Sequence, residues 1–406
     1  MTDPATIVLA GGGLAAAKAA EALRDEGYEG RIVLVGRESH LPYERPPLSK
    51  DYLQGETERD AFTVHDEAWY REHGVELRLG AEVVAVDASG HTVTLAGGER
   101  LGYDRLLLAT GSTPRRLTVP GADGDNVLYL RTVDDSDRLR DALAKADRVA
   151  IIGAGWIGLE TAAAARKAGA AVTVIEAQSI PLAAAVGSAI SEVFTALHRE
   201  HGVEFAFNAR VREIDGSDVV LEDGSRIEAD TIVVGVGALP EVGLAEAAGL
   251  TVDDGVTVGA DLRTSDLDIF AVGDIAGAYH PLLGRHVRVE HWANALNQPV
   301  VAARAMLGRD ASYDNLPYFF TDQYDLGMEY VGLPDPDRPR RVVVRGDLDA
   351  REFIAFWVQD DRVTAAMNVN IWDVTDDTQA LIWSKRKVDQ ARLVDPDVPL
   401  SDLTDS

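Results

Sequence analysis

Two widely separated stretches of this chain follow one plan, and that repetition limits the folds open to it. The first, "TIVLAGGGLAAAKAAEALRDEGYEGRIVLVG", runs from Thr6 to Gly36. The second, "RVAIIGAGWIGLETAAAARKAGAAVTVIEA", runs from Arg148 to Ala177. Each reads as a short apolar strand, a glycine turn, an alanine-rich helix and a second apolar strand. That is a βαβ unit, and it calls for a parallel sheet covered by helices. Two copies so far apart are too few for a solenoid. They predict an α/β chain with two nucleotide-binding domains.

The glycines carry the chemistry. Gly153, Gly155 and Gly158 form GxGxxG at the start of the second helix, with Trp156 and Ile157 inside the motif. The first glycine makes the tight turn, the second lets backbone approach a pyrophosphate, and the third packs helix against strand. The helix N-terminus then offers N–H groups and the positive end of its dipole. Glu176 closes the following strand, where a carboxylate can accept bonds from the adenosine ribose. It would repel a 2′-phosphate, and no arginine follows it before Arg199. NADH is therefore preferred over NADPH.

The first copy reads GxGxxA, as Gly11, Gly13 and Ala16, with Leu14 and Ala15 opening the helix. Its acid is less plain. Arg37 stands where an acid is expected, with Glu38 next to it; Arg37 could stack on adenine, and Glu38 is the candidate ribose partner. Two such sites on one chain imply two different dinucleotides. A tightly held flavin with a mobile nicotinamide is the economical pairing.

Composition removes several alternatives. The chain has 406 residues, enough for two or three domains, and no cysteine. Disulfide, thiolate and zinc–cysteine chemistry are excluded. The net charge of −28 disfavours nucleic-acid partners and raises solubility. No long apolar run predicts a membrane span. No signal-peptide pattern opens the chain, so a cytoplasmic location is expected.

Two connectors, "HTVTLAGGERLGYDRLLLATGS" and "DVVLEDGSRIEADTIVVGVGALP", resemble each other, each giving a hairpin and a buried strand. From about Tyr313 the pattern alternates as in an antiparallel sheet, with turns at Gly346–Asp347 and Asp360–Asp361. This reads as a separate α+β domain. The acidic tail after Pro396 is expected to be loose. The loop "LPYERPPLSK", Leu41–Lys50, holds three prolines and one of only six lysines.

These motifs together resemble the FAD-dependent, NADH-linked ferredoxin reductases that serve cytochromes P450 and Rieske oxygenases, of the putidaredoxin-reductase and biphenyl-dioxygenase type. The likeness covers nearly the whole chain. It rests on "AGGGLAAAKAAEALR", "RPPLSKDYL", "LLLATGSTPR", "YLRT", "IIGAGWIGLE", "VVGVGALP", "TSDLDIFAVGD", "HWANALNQ" and "FTDQYD". The resemblance implies a glutathione-reductase-like fold. Its FAD domain would be split as residues 1–113 and 241–312, its NADH domain would be 114–240, and a C-terminal domain would be 313–406.

The resemblance also implies site residues. Asp274, after Gly273, matches the second FAD signature and would bind the ribityl chain from the end of a strand and the start of a helix. Ala109, Thr110 and Gly111 match the crossover between domains. Arg45, Pro46, Val83 and Arg131 match positions around FAD. Trp292 matches a position beside the isoalloxazine. Gly237 falls on the NADH side, and Glu160 faces the flavin–nicotinamide region. Lys50 would lie at the flavin at the end of the proline loop, on a helix read as "PLSKDYL", with Glu160 as its counter-charge.

Hydride transfer from NADH to flavin needs stacked rings and a compensating charge, not a nucleophile. Lys50 is the candidate cation, and a buried lysine needs such an acid to stay protonated. Relatives that reduce disulfides keep cysteines by the flavin; here the electrons must leave for an external carrier. The resemblance names a [2Fe-2S] ferredoxin as that carrier, with a P450 or Rieske oxygenase downstream, and a monomer or weak dimer. Other readings are a rubredoxin reductase, an NADH diaphorase or oxidase, and a redox-sensing signalling flavoprotein. Candidate docking cations are Arg338, Arg340 and Arg341, then Lys385, Arg386 and Lys387, and Arg304 with Arg309. "NQPVVAA" replaces the basic residue common after "NAL", so Pro299 and Val300 depart from the family's usual docking pattern.

Overall fold

Each βαβ stretch builds the middle of a five-stranded parallel sheet. In the computed structural model, which describes residues 5–403, these sheets belong to two separate units. The first unit takes in the chain up to Glu44, Arg59–Thr113 and Leu239–Pro317. The second takes in Arg45–Glu58, Pro114–Ala238 and the chain from Tyr318.

In the first unit the strand order is Ile269–Ala271, Arg105–Leu108, Thr6–Ala10, Arg31–Gly36, Val75–Leu79, all parallel. Ile7, Val8 and Leu9 are fully buried because both faces of this sheet are covered. The helix Leu14–Asp25 has alanines at most buried positions. Small side chains let the helix Trp292–Met306 pack closely against it. A three-stranded antiparallel sheet, Val83–Asp87, Thr92–Leu95 and Arg100–Gly102, completes the first connector.

The second unit repeats the order with Val203–Ala206, Ala171–Ile175, Arg148–Ile152, Thr231–Val234 and Val127–Tyr129. Its connector forms the matching sheet Val211–Asp215, Asp218–Leu221 and Arg226–Glu228. The α+β portion is a five-stranded antiparallel sheet from Tyr318 to Val369 with the helices Thr375–Ser384 and Gln390–Val394. Its buried Phe353, Trp357 and Met367 share one apolar cluster with Ile151, Leu159 and Phe194 of the parallel portion.

Of the local expectations, the turn at Asp360–Asp361 holds and others change. Asp360 and Asp361 both take positive φ (48° and 59°), as a tight hairpin turn requires. The other hairpin turns later than expected, because strand pairing continues to Asp347 opposite Glu352. Gly346 stays in the strand at φ 106°, where a Cβ would fall 2.4 Å from the Glu352 carbonyl oxygen. The tail is anchored rather than loose up to Leu403. Leu400 and Leu403 are buried, and Arg345 donates to the carbonyls of Pro396 and Val398. Its last three residues lie outside the described ones. Among the described residues no helix is long and apolar enough to cross a membrane.

Candidate active site

The first glycine turn is shaped by contact. A Cβ on Gly11 would sit 2.1 Å from the Ala109 carbonyl oxygen, so only glycine lets the two strands' ends meet. Gly13 caps the helix without a side-chain hydrogen bond, and nothing lies within 4 Å of where its Cβ would be. No acid stands in the first turn, so Leu14, Ala15 and Ala16 follow an open, electropositive helix end. Such an end fits a dinucleotide pyrophosphate.

Around it the first unit gathers several of the expected residues. Ser112 donates to Asp274 Oδ2 at 2.7 Å, joining the "LLLATGS" and "FAVGD" segments. Thr110 donates to the Glu241 carbonyl, and Gly111 takes φ 72°, as a chain reversal requires. Gly273 N–H donates to Gln298 Oε1, a residue the sequence did not point to. Asp274 follows the strand Ile269–Ala271 and lies on the short 3-10 helix Gly273–Ile275, at the strand end and helix start expected of it. Glu38 accepts from Tyr43 at 2.5 Å, whereas Arg37 is exposed and lies 3.6 Å from Glu82. Val83 is buried in its strand. Trp292 opens its helix and donates from Nε1 to Glu44 Oε2 at 3.1 Å.

The second unit holds the other turn. A Cβ on Gly158 would fall 2.1 Å from the Gly153 carbonyl oxygen. Gly155 caps the helix Trp156–Lys167 with no side-chain hydrogen bond and no acid in the first turn. Trp156 packs on Phe194 and Phe319, while Ile157 is 46 % exposed beside the open turn. Glu176 Oε2 accepts from Ala154 N–H at 2.9 Å and its Oε1 from Gln178 N–H at 2.8 Å. The acid thus braces the glycine turn that it follows. Gly237 takes φ 104° and accepts from Arg115 N–H.

The expected ion pair is formed. Lys50 Nζ lies 2.8 Å from Glu160 Oε1, with side chains only 10 % and 3 % exposed. The proline loop delivers Lys50 at the end of a shorter helix than the one read as "PLSKDYL". Pro46–Ser49 is one 3-10 turn, and Lys50 leaves helical geometry at φ −120°, ψ −121°. Arg45 donates to the Arg131 carbonyl, fixing the start of that turn. Lys50 Nζ also stands 5.3 Å from the centre of the Phe320 ring. Two residues not singled out complete the carboxylate's shell. Ser49 donates to Glu160 Oε2, and Thr321 donates to Oε1 at 2.5 Å.

The docking candidates carry local partners. Arg304 and Arg309 both meet Glu26. Arg338 meets Asp335 and Asp360, while Arg341 and Lys387 share Asp361. Much of this positive charge is answered at short range.

Two open glycine turns, one in each unit, and a buried Lys–Glu pair fit a flavin and a nicotinamide nucleotide. Comparison with known proteins agrees. The ferredoxin–NAD(+) reductase component of the anthranilate 1,2-dioxygenase system of Burkholderia cepacia is 42 % identical over 403 residues, covering 98 % of each chain. The rubredoxin–NAD(+) reductase of Pseudomonas putida is 37 % identical, covering 90 % of this chain and 96 % of that one. A solved covalent putidaredoxin reductase–putidaredoxin complex superposes with a TM-score of 0.95 at 35 % identity, covering 99 % of this chain and 98 % of that one. Residues 318–404 match the reductase C-terminal family. Residues 5–298 match the pyridine nucleotide-disulphide oxidoreductase family, and the chain belongs to it.

Proposed function

We propose that this chain is an NADH:ferredoxin reductase that uses FAD to supply single electrons to a [2Fe-2S] ferredoxin of a P450 or Rieske oxygenase system. The observation that carries this reading is the pair of open glycine turns in a chain without a single cysteine. It has room for two dinucleotides and no thiol of its own to take electrons onward. FAD bound to the chain would accept a hydride from NADH and release its two electrons singly.

The residues then have distinct tasks. The Gly11–Gly13 turn and the Asp274 carboxylate hold FAD. The Gly153–Gly158 turn and Glu176 hold NADH. Lys50 supplies positive charge where the flavin gains negative charge, and Glu160 holds that ammonium in place as its counter-charge. Trp292, tied to Glu44, covers the ring system. The domain division given above and a cytoplasmic location, where NADH is available, belong to the same reading.

Anaerobic NADH titration of the flavin-loaded protein, followed by stopped-flow mixing with acceptors, tests it. NADH should bleach the flavin bands, and a [2Fe-2S] ferredoxin should be reduced faster than rubredoxin. Flavin left oxidised by NADH overturns the reading. Faster reduction of rubredoxin selects the alternative that the Pseudomonas relative represents.

A further inference from the structure

Behind Glu160 lies a buried chain of polar side chains that the reaction scheme leaves unused. Thr321 Oγ1 contacts Glu160 Oε1 at 2.5 Å. Gln323 Nε2 contacts Thr321 Oγ1 at 3.1 Å. His198 Nε2 contacts Gln323 Oε1 at 2.8 Å, and Tyr324 OH reaches His198 Nδ1 at 3.4 Å. Thr321, Gln323 and His198 are each at most 1 % exposed. Water therefore does not satisfy their polar atoms, and the partners must be complementary among themselves.

The chemistry fixes the direction of every bond. A carboxylate paired with Lys50 only accepts, so Thr321 must give it its single hydroxyl hydrogen. Thr321 Oγ1 is then an acceptor toward Gln323, which must present its NH2. The amide oxygen consequently faces His198, so Nε2 carries the imidazole hydrogen. Nδ1 is left bare and accepts from Tyr324. Burial pushes the His198 pKa down to about 4, which keeps the ring neutral, as this arrangement needs. All the donors point the same way, and successive dipoles reinforce one another at the anion. The amide link carries no proton onward, so the chain orients and polarises.

We propose that Thr321, backed by Gln323 and His198, is a positioning residue for hydride transfer: it fixes the Glu160 carboxylate and, through it, the place of the Lys50 ammonium. The proposal rests on the reading that Lys50 and Glu160 serve the flavin. Oε1 is shared between Lys50 and Thr321. With the hydroxyl gone, that oxygen's full demand falls on Lys50, and the ammonium is drawn toward Glu160. Less of its charge is then available elsewhere.

The test is a mutant cycle on the flavin-loaded enzyme, read as the single-turnover rate of flavin reduction at saturating NADH and, separately, the NADH dissociation constant. Thr321→Val should slow reduction about tenfold, the loss of one charge-assisted hydrogen bond. It should leave NADH affinity within about twofold. Thr321→Ser, which keeps the hydroxyl, should restore the rate, which a packing role would not predict. In a Glu160→Gln background, Thr321→Val should have no further effect, since it acts only through that carboxylate. A wild-type rate in Thr321→Val, a failure of serine to rescue, or additive losses in the double variant would each overturn the proposal. A Glu160→Gln enzyme with unchanged reduction would instead sink the reading beneath it. Should Thr321→Val not retain flavin, Gln323→Met removes the next donor and should slow reduction in the same sense, again only when Glu160 is present.

Discussion

A buried carboxylate persists only where donors surround it, and Glu160 receives three, from Lys50, Ser49 and Thr321. Removing one member of such a pair leaves the other charged and alone, which costs about 3–5 kcal/mol. Lys50→Met should therefore lower the melting temperature and slow flavin reduction. Adding Glu160→Gln should return most of the stability but none of the rate, as thermal unfolding and single-turnover kinetics would report. Recovery of both would mean that Lys50 matters only to the fold. Glu176 offers a second prediction at this scale. Its carboxylate braces Ala154 N–H, so Glu176→Ala removes both that bond and the repulsion of a 2′-phosphate. The KM for NADH should rise about tenfold while that for NADPH stays level or falls. A preference for NADH that survives intact would refute the role. Lys50, Glu160 and Glu176 were legible because each stands inside or directly after a motif. Ser49 and Thr321 also stand inside quoted motifs, but an uncharged hydroxyl does not announce a carboxylate partner 111 or 161 positions away as a buried lysine does. Only tertiary packing brings such residues together.

At the scale of elements, the two βαβ stretches were the most legible part of the chain, because strand, turn and helix each leave a local pattern. The short 3-10 turns were less so. Pro46–Ser49 begins as a helix may, with proline in its first positions, and stops because Lys50 departs from helical angles. The two copies also differ at their third motif position. The first carries Ala16, fully buried, so its helix stands far enough from the strand for a methyl group. The second carries Gly158, whose absent Cβ would meet the Gly153 backbone oxygen at 2.1 Å. Backbone cannot step aside as a side chain can. Gly158→Ala should push the helix Trp156–Lys167 off its strand, costing about 1–3 kcal/mol as overpacking does. It should weaken NADH binding measured by titration while leaving the FAD content unchanged. Unaltered NADH affinity would show that the tight contact is not needed to shape the turn.

At the scale of the whole molecule, charge and burial pull in opposite directions on acidification. The net charge of −28 means that protonating carboxylates relieves self-repulsion. Buried histidines act in the opposite sense. His198 in the second unit and His291 in the first are each pushed down from 6.5 to about 4, mainly by burial. An unfolded chain takes up these protons near pH 6.5, whereas the folded one resists until about 4. The unfolded state thus binds more protons throughout that window. The stability these rings contribute is complete above about pH 6.5 and is lost as the pH falls toward 4. For His198, fully buried, a shift from 6.5 to about 4 corresponds to roughly 3 kcal/mol. His291 keeps some solvent contact and adds less. The melting temperature should therefore decline between about pH 6.5 and 4. His198→Phe lacks the titrating ring. It should be less stable at pH 7.5, because Gln323 loses a partner, yet decline less steeply over the same window. Parallel curves for the two proteins, measured by thermal unfolding in steps of pH, would show that His198 does not set the acid sensitivity.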